Sequence, residues 1–221
     1  MADKEILIFV EGPSDKVFLE AYLYFLEDIP IKNFKVKDVT GKDNLSERLL
    51  EIEKYDKTLI IFDADKDYES NKKEILSKTQ QKITEEQIFL FPNNQDDGDL
   101  ETLLLEIAKH DEFLKCFEGY LECIKSKEHY KPIKNIRKNM LYAYLEVFEL
   151  QKFFQYKWDT NNKKNEENII IDDKGKIKEK HEEDYRRLKE VIDFNSKSLI
   201  PLKNFLGQPT ENKQKTKLKI F

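Results

Sequence analysis

The sequence predicts an α/β fold: a four-stranded, mostly parallel sheet flanked by helices, followed by a mainly α-helical part. Three observations carry this. Short, nearly all-apolar runs alternate with helical patterns through the first 110 residues, the layout of a helix-covered parallel sheet. Three of the four runs lack the polar alternation of a half-exposed strand, as strands buried on both faces should. After His110 the strand-like runs stop, and Leu, Phe and Tyr recur at helical spacing. Of the 221 residues 38% are charged and 39% hydrophobic, and the apolar residues come in ordered blocks, so a core can form.

In chain order, ILIFV (6–10) reads as the first strand, and SDKVFLEAYLYFLE as the helix after it. FKVKDV (34–39) alternates apolar and polar residues, which places it near a sheet edge. DNLSERLLEIEK is helical by composition and spacing, TLIIF (58–62) is the third strand, and a polar helical stretch follows near 69–82. QIFLF (87–91) is the fourth strand, and DLETLLLEIAKH closes a first domain at residues 1–110. Residues 111–126 and 135–157 are expected helices, punctuated by Lys131-Pro132. NNKKNEEN (161–168) reads as a polar loop, IIIDDKGKIKEK as a small hairpin turning at Asp173-Lys174-Gly175, and 181–194 and 196–206 as helical pieces. This makes 111–206 a helical extension and 207–221 a basic tail.

Composition narrows the function classes. No apolar run approaches the roughly 20 residues of a membrane span, and MADKEILIFVE is not a signal peptide. Cys116 and Cys123, the only cysteines, have neither CxxC spacing nor a His partner, so buried reduced thiols in a cytoplasmic protein are expected. Residues 1–110 hold 15 Lys plus Arg against 25 Asp plus Glu, and the remainder 24 against 19. The acidic half needs bound cations before it attracts a polyanion. The basic half supplies attraction by itself.

Each long apolar strand runs directly into acid. The first ends in Glu11, with Asp15 four residues on; the third in Asp63-Ala64-Asp65, whose two carboxylates share one side of an extended segment; the fourth leads through FPNNQDDGDLE to Asp97, Asp99 and Glu101. Ligands of open parallel sheets gather at such carboxyl ends. Carboxylates so crowded repel unless cations bind them, and hard oxygen donors without His or Cys suit Mg²⁺ or Mn²⁺. Taken individually, Asp15, Asp99 and Glu101 are ordinarily helix caps or first-turn acids, whereas Glu11 and the Asp63/Asp65 pair follow buried strands directly. Gly12 and Gly98 fit close backbone approaches or unusual turn angles.

Glu-Gly after the first strand and Asp-x-Asp after the third, in that order and with the Gly-Asp-Leu-Glu element, resemble the signature of the Toprim domain. That domain occurs in topoisomerases, bacterial primases, recombination-mediator proteins and OLD-family nucleases. VEGPSDKVFLEAYL, IIFDADKD and FPNNQDDGDLETLLLEI are most similar to OLD nucleases and small Toprim-like bacterial proteins, over about residues 5–110. Tyr68 stands where many Toprim domains have Gly. VTGKDNLSERL is not an ATPase P-loop, since Val36 replaces its first Gly and Asp43 its Ser or Thr.

The resemblance implies a divalent-metal-dependent nuclease, with Mg²⁺ or Mn²⁺ as cofactor. Glu11, Asp63 and Asp65 would hold a first ion; Asp15, Glu101 and Asp99 would hold or adjust a second. Lys203 is the candidate positive group near the scissile phosphate. The implied partner is nucleic acid, DNA ahead of RNA, with a separate ATPase chain as a further candidate; the oligomeric state stays open. The alternative is a non-catalytic Toprim-like module that binds nucleic acid or protein in DNA repair or phage defence. Its partner surface would be the aromatic set Tyr142, Tyr144, Phe148, Phe153, Phe154, Tyr156 and Trp158, for which core packing is the ordinary explanation. Chain order excludes a haloacid-dehalogenase-like phosphatase and a response-regulator receiver, whose acids follow other strands. His110, His129 and His181 have no metal-spaced partners and read as surface residues.

Overall fold

The computed structural model describes residues 6–26, 31, 34–131, 133–154 and 179–208. Its centre is a four-stranded sheet of β1 (Ile6–Val10), β2 (Phe34–Asp38), β3 (Lys57–Asp63) and β4 (Ile88–Phe91), in the order β2-β1-β3-β4. All three pairings are parallel. β1 and β4 are buried throughout and β3 at its five central positions, while β2 alternates at the edge, as its residue pattern predicts.

Period-two side chains divide the sheet between two cores. Ile6, Ile8, Val10, Leu59, Ile61, Phe89 and Phe91 face one layer; Leu7, Phe9, Ile60, Phe62, Ile88 and Leu90 face the other. The second layer is covered by a 3-10 segment (Lys42–Arg48), the short α2 (Leu49–Ile52) and α3 (Tyr68–Lys78), through Leu45, Ile52 and Ile75. The first is covered by α1 (Pro13–Phe25), α4 (Leu100–Glu106), α6 (Ile136–Val147), α7 (Glu179–Val191) and α8 (Ile200–Leu206). Each fully buried Leu, Ile or Phe contributes roughly 1.5–3 kcal/mol. The buried cluster runs across residue 110: Phe18 of α1 packs on both Phe91 and Phe194. The C-terminal helices complete the layer that α1 begins.

Several sequence expectations change in the structure. DNLSERLLEIEK begins as 3-10 and becomes α only over Leu49–Ile52, because Asn44 bonds back to the Val39 and Thr40 carbonyls and holds the entry tight. The helix expected over 135–157 ends at Val147; Glu149 turns left-handed (φ 58°), and the Leu150 amide returns to the Leu145 carbonyl. Cys116 and Cys123 are exposed, since α5 (Asp111–Lys125) buries no residue fully, so the burial expected for both thiols is corrected. Tyr144, Phe153 and Phe154 lie in the core. The expected hairpin, the tail beyond Gln208, Tyr156, Trp158 and the His181 side chain lie outside the described residues. No helix among the described residues is long and apolar enough to cross a membrane.

Candidate functional site

The chain leaves β1 toward β2 on one side and passes from β3 to β4 on the other, so the topology switches direction between β1 and β3. That is where an open parallel sheet leaves a crevice at its carboxyl ends. The parallel register pairs Val10 with Ile61, which brings Glu11 and Asp63 to the mouth of the crevice on neighbouring strands. The Asp63 backbone amide lies near enough to the Glu11 carboxylate to favour its ionised form. Asp15, inside the first turn of α1, is 7% exposed and accepts a hydrogen bond from the Gly12 amide at 2.7 Å. Asp63 accepts one from the Leu100 amide at 2.9 Å, which docks the start of α4, and Glu101 with it, against the same crevice.

Glu11, Asp15, Asp63 and Glu101 share one electrostatic condition. Burial raises the Glu11 carboxyl above its ordinary value, with Lys42 pulling the other way and Asp65 adding to the rise. Burial, then repulsion from Glu11, Glu101 and Asp38, pushes Asp15 up to about 7 against the Gly12 bond. Asp63 is raised well above the carboxylate range by burial and by Asp15, Glu11 and Glu101. Glu101 rises through burial and Asp99. Four acids thus face one another with too little positive charge to hold them all ionised.

The other two predicted ligands are already compensated. Asp65, at φ 54° and half exposed, takes the Lys42 ammonium on Oδ2 at 2.7 Å, while its amide bonds the Gly98 carbonyl at 2.7 Å. Asp99 caps α4 through the Thr102 amide and hydroxyl. Its two oxygens also receive Arg137 Nε and Nη2, at 2.8–3.1 Å. Burial tends to raise Asp99, but these bonds hold it below the usual carboxylate range. Gly98 has φ 148°, and a Cβ there would stand 3.0 Å from Pro92 Cδ, so that position requires glycine. Gly12 is extended and its missing Cβ would make only ordinary contact, so the expectation of an unusual turn fails there.

Lys203 is not brought to the crevice. It stands exposed on α8, and Gln208, two residues beyond that helix, accepts a bond from Lys57 at the start of β3, the opposite end of the sheet. The cations at the site are Lys42, Arg137 and Lys138, the last acting on Glu101. Sequence reasoning missed all three, although Gly41-Lys42 directly after the second strand was a usable signal. Beside Asp65 an open cavity of about 710 Å³ lies between the loops after β3 and β4, lined by Lys66, Tyr68, Lys72, Asn94 and Gln95, among others.

Among the described residues no three His, Cys, Asp or Glu side chains form a ready-made metal-ligating group. Two features nevertheless fit a hard divalent cation. Glu11 Oε2 is buried with no hydrogen-bond partner, an acceptor that a cation would satisfy. The facing donors are all carboxylate oxygens, the class Mg²⁺ and Mn²⁺ take.

A family model described as "Protein of unknown function (DUF3226)" matches residues 5–208. The chain belongs to the DUF3226 family. The match takes in the sheet and the C-terminal helices together, as the continuous core does. No curated protein and no solved structure matches the chain. Membership in DUF3226 carries no stated activity, so the chemistry is read from the crevice.

Proposed function

We propose that this protein is a divalent-metal-dependent phosphodiesterase acting on nucleic acid, of the Toprim type that its strand-end motifs resemble. The observation that carries the reading is the pairing of Glu11 and Asp63 at the switch point, with Asp15 and Glu101 facing them and Glu11 Oε2 unsatisfied. Glu11, Asp15, Asp63 and Glu101 are the oxygen donors for Mg²⁺ or Mn²⁺. When bound, such an ion polarises a phosphoryl oxygen and acidifies water. Asp65 and Asp99 serve the site through Lys42 and Arg137, which place positive charge at its rim for a phosphodiester. The cavity beside Asp65 brings Tyr68, Asn94, Gln95, Lys66 and Lys72 together with the carboxylates Asp67, Glu69 and Asp97, and has room for a nucleotide flanking the scissile bond.

The test is incubation with supercoiled plasmid, linear duplex, single-stranded DNA and RNA, with Mn²⁺, Mg²⁺ or EDTA. Cleavage should need the ion and vanish in Asp63→Ala with the fold intact. Equal cleavage by Asp63→Ala would end the enzymatic reading. A metal-dependent mobility shift without cleavage would replace it with the binding-module reading, and steep weakening of that shift by salt would locate phosphate contacts.

A further inference from the structure

Lys42 is held too deliberately to be a surface lysine. Gly41, at φ 100°, folds the loop after β2 back so that its amide bonds the Glu11 carbonyl at 2.9 Å. The Lys42 side chain, only 14% exposed, then donates to Asp65 Oδ2 at 2.7 Å and to Asn71 Oδ1 at 2.5 Å. Asn71 is itself fixed, its amide bonding the Ala64 and Asp67 carbonyls, so its oxygen has one orientation to offer. Glu11 lies close enough that the ammonium is the main influence favouring its ionised form. The ammonium is therefore bonded to one carboxylate and one amide oxygen, with the Glu11 carboxylate within electrostatic reach. That is a hard-oxygen environment of the kind a small divalent cation occupies, filled instead by a compact point charge with three donors.

We infer that Lys42 occupies the place of a second divalent ion, so that the site accepts one ion, on the side of Glu11, Asp15, Asp63 and Glu101. This rests on the metal-dependent reading above. A second ion could enter only by expelling the ammonium and breaking its bonds to Asp65 and Asn71. Two-ion sites hold their ions roughly 3.5–4 Å apart; here the second position carries a tethered charge of one rather than a free charge of two. A merely structural Lys42, tying the β2 loop to β3, would leave the ion count untouched when removed.

Calorimetric titration of the full chain with Mn²⁺ tests this, with paramagnetic resonance to detect spin-coupled Mn²⁺ pairs. Wild type and Lys42→Arg should each bind one ion. Lys42→Met, which keeps the stem and removes the charge, should bind two and show the coupled spectrum. Should Lys42→Met fold poorly, Asp65→Asn decides: with a lysine as its partner, its loss should weaken Mn²⁺ binding about tenfold or less. Two ions in wild type would overturn the inference, as would one ion in well-folded Lys42→Met or a loss of Asp65→Asn binding as large as that of Asp63→Asn. No ion in wild type would instead remove the metal-dependent reading itself.

Discussion

Six carboxylates gather at the carboxyl ends of β1, β3 and β4, and the chain treats them in two ways. Asp65 and Asp99, on one side, each receive a cation from a distant part of the sequence, Lys42 and Arg137. Glu11, Asp15, Asp63 and Glu101, on the other, have no ion pair of their own among the described residues, and burial raises them all, with repulsion from neighbouring acids adding to it. The residue types are the same; the difference is who supplies the positive charge. A folding domain gains nothing from four uncompensated acids, because each raised carboxyl costs stability whenever the solution would ionise it. Their presence beside two neutralised neighbours is what supports the proposal of a cation from outside on this side.

The largest effect that could break this contrast is on metal affinity. Loss of an outer-shell partner typically costs 10–100-fold in affinity, so Asp63→Asn should lose at least about 100-fold in Mn²⁺ binding. Asp99→Asn, which still caps α4, should lose about tenfold or less. Calorimetry on both variants checks this, and equal losses would erase the distinction between the two sides.

Thermal stability against pH comes next. Asp15 folds with its pKa raised from 3.8 to about 7, and Asp63, Glu11 and Glu101 shift the same way. Between the unfolded and folded values the native state binds more protons than the unfolded one, so stability falls as pH rises through this window. Metal-free protein should therefore melt higher at pH 5.5 than at pH 8, by on the order of 2 kcal/mol in unfolding free energy. Mn²⁺ should flatten the slope and release protons on binding, more at pH 6 than at pH 8. Melting curves with EDTA that rise toward pH 8 would contradict the uncompensated side.

How much of this the sequence revealed follows from how local each signal is. Strand ends and the acids after them are written in consecutive residues, and the four-stranded sheet and the Glu11–Asp63 pairing follow from that. Partners that meet across long stretches of chain left no local trace: Lys42 reaches Asp65 over 23 residues and Arg137 reaches Asp99 over 38. Lys203, the candidate positive group for the scissile phosphate, lies toward the other end of the sheet, a placement that no local pattern reveals. The thiols of Cys116 and Cys123 share an amphipathic helix, but periodicity gives a face and not what covers it; α5 leaves both exposed.

Gly98 joins the two compensated acids, since its carbonyl holds the Asp65 amide and its own position leads into the Asp99 cap. Gly98→Ala should cost about 1–3 kcal/mol by denaturant unfolding, because a left-handed residue gains a Cβ 3.0 Å from Pro92. A cost under half a kcal/mol would mean that the loop relaxes freely.

The smallest expected effect sharpens the comparison through its sign. Arg137 is about half exposed and Asp99 about a quarter, so replacing Arg137 with Met should cost only about 0.5–1 kcal/mol near pH 7. Asp99 keeps its Thr102 bonds in that variant, so α4 stays capped and the carboxyl pKa moves back toward its ordinary value. A depressed carboxyl contributes stability above its unfolded pKa of 3.8 and loses it as pH falls through the folded value. The deficit of Arg137→Met should therefore be full at pH 7 and shrink below about pH 4, where Asp99 protonates in both proteins. Raised salt should shrink it too, because a pair this exposed is screened. Chemical unfolding of both proteins from pH 3.5 to 8 measures it. A deficit independent of pH would show that Arg137 acts through its packing rather than its charge, and the compensated side would then rest on Asp65 and Lys42 alone.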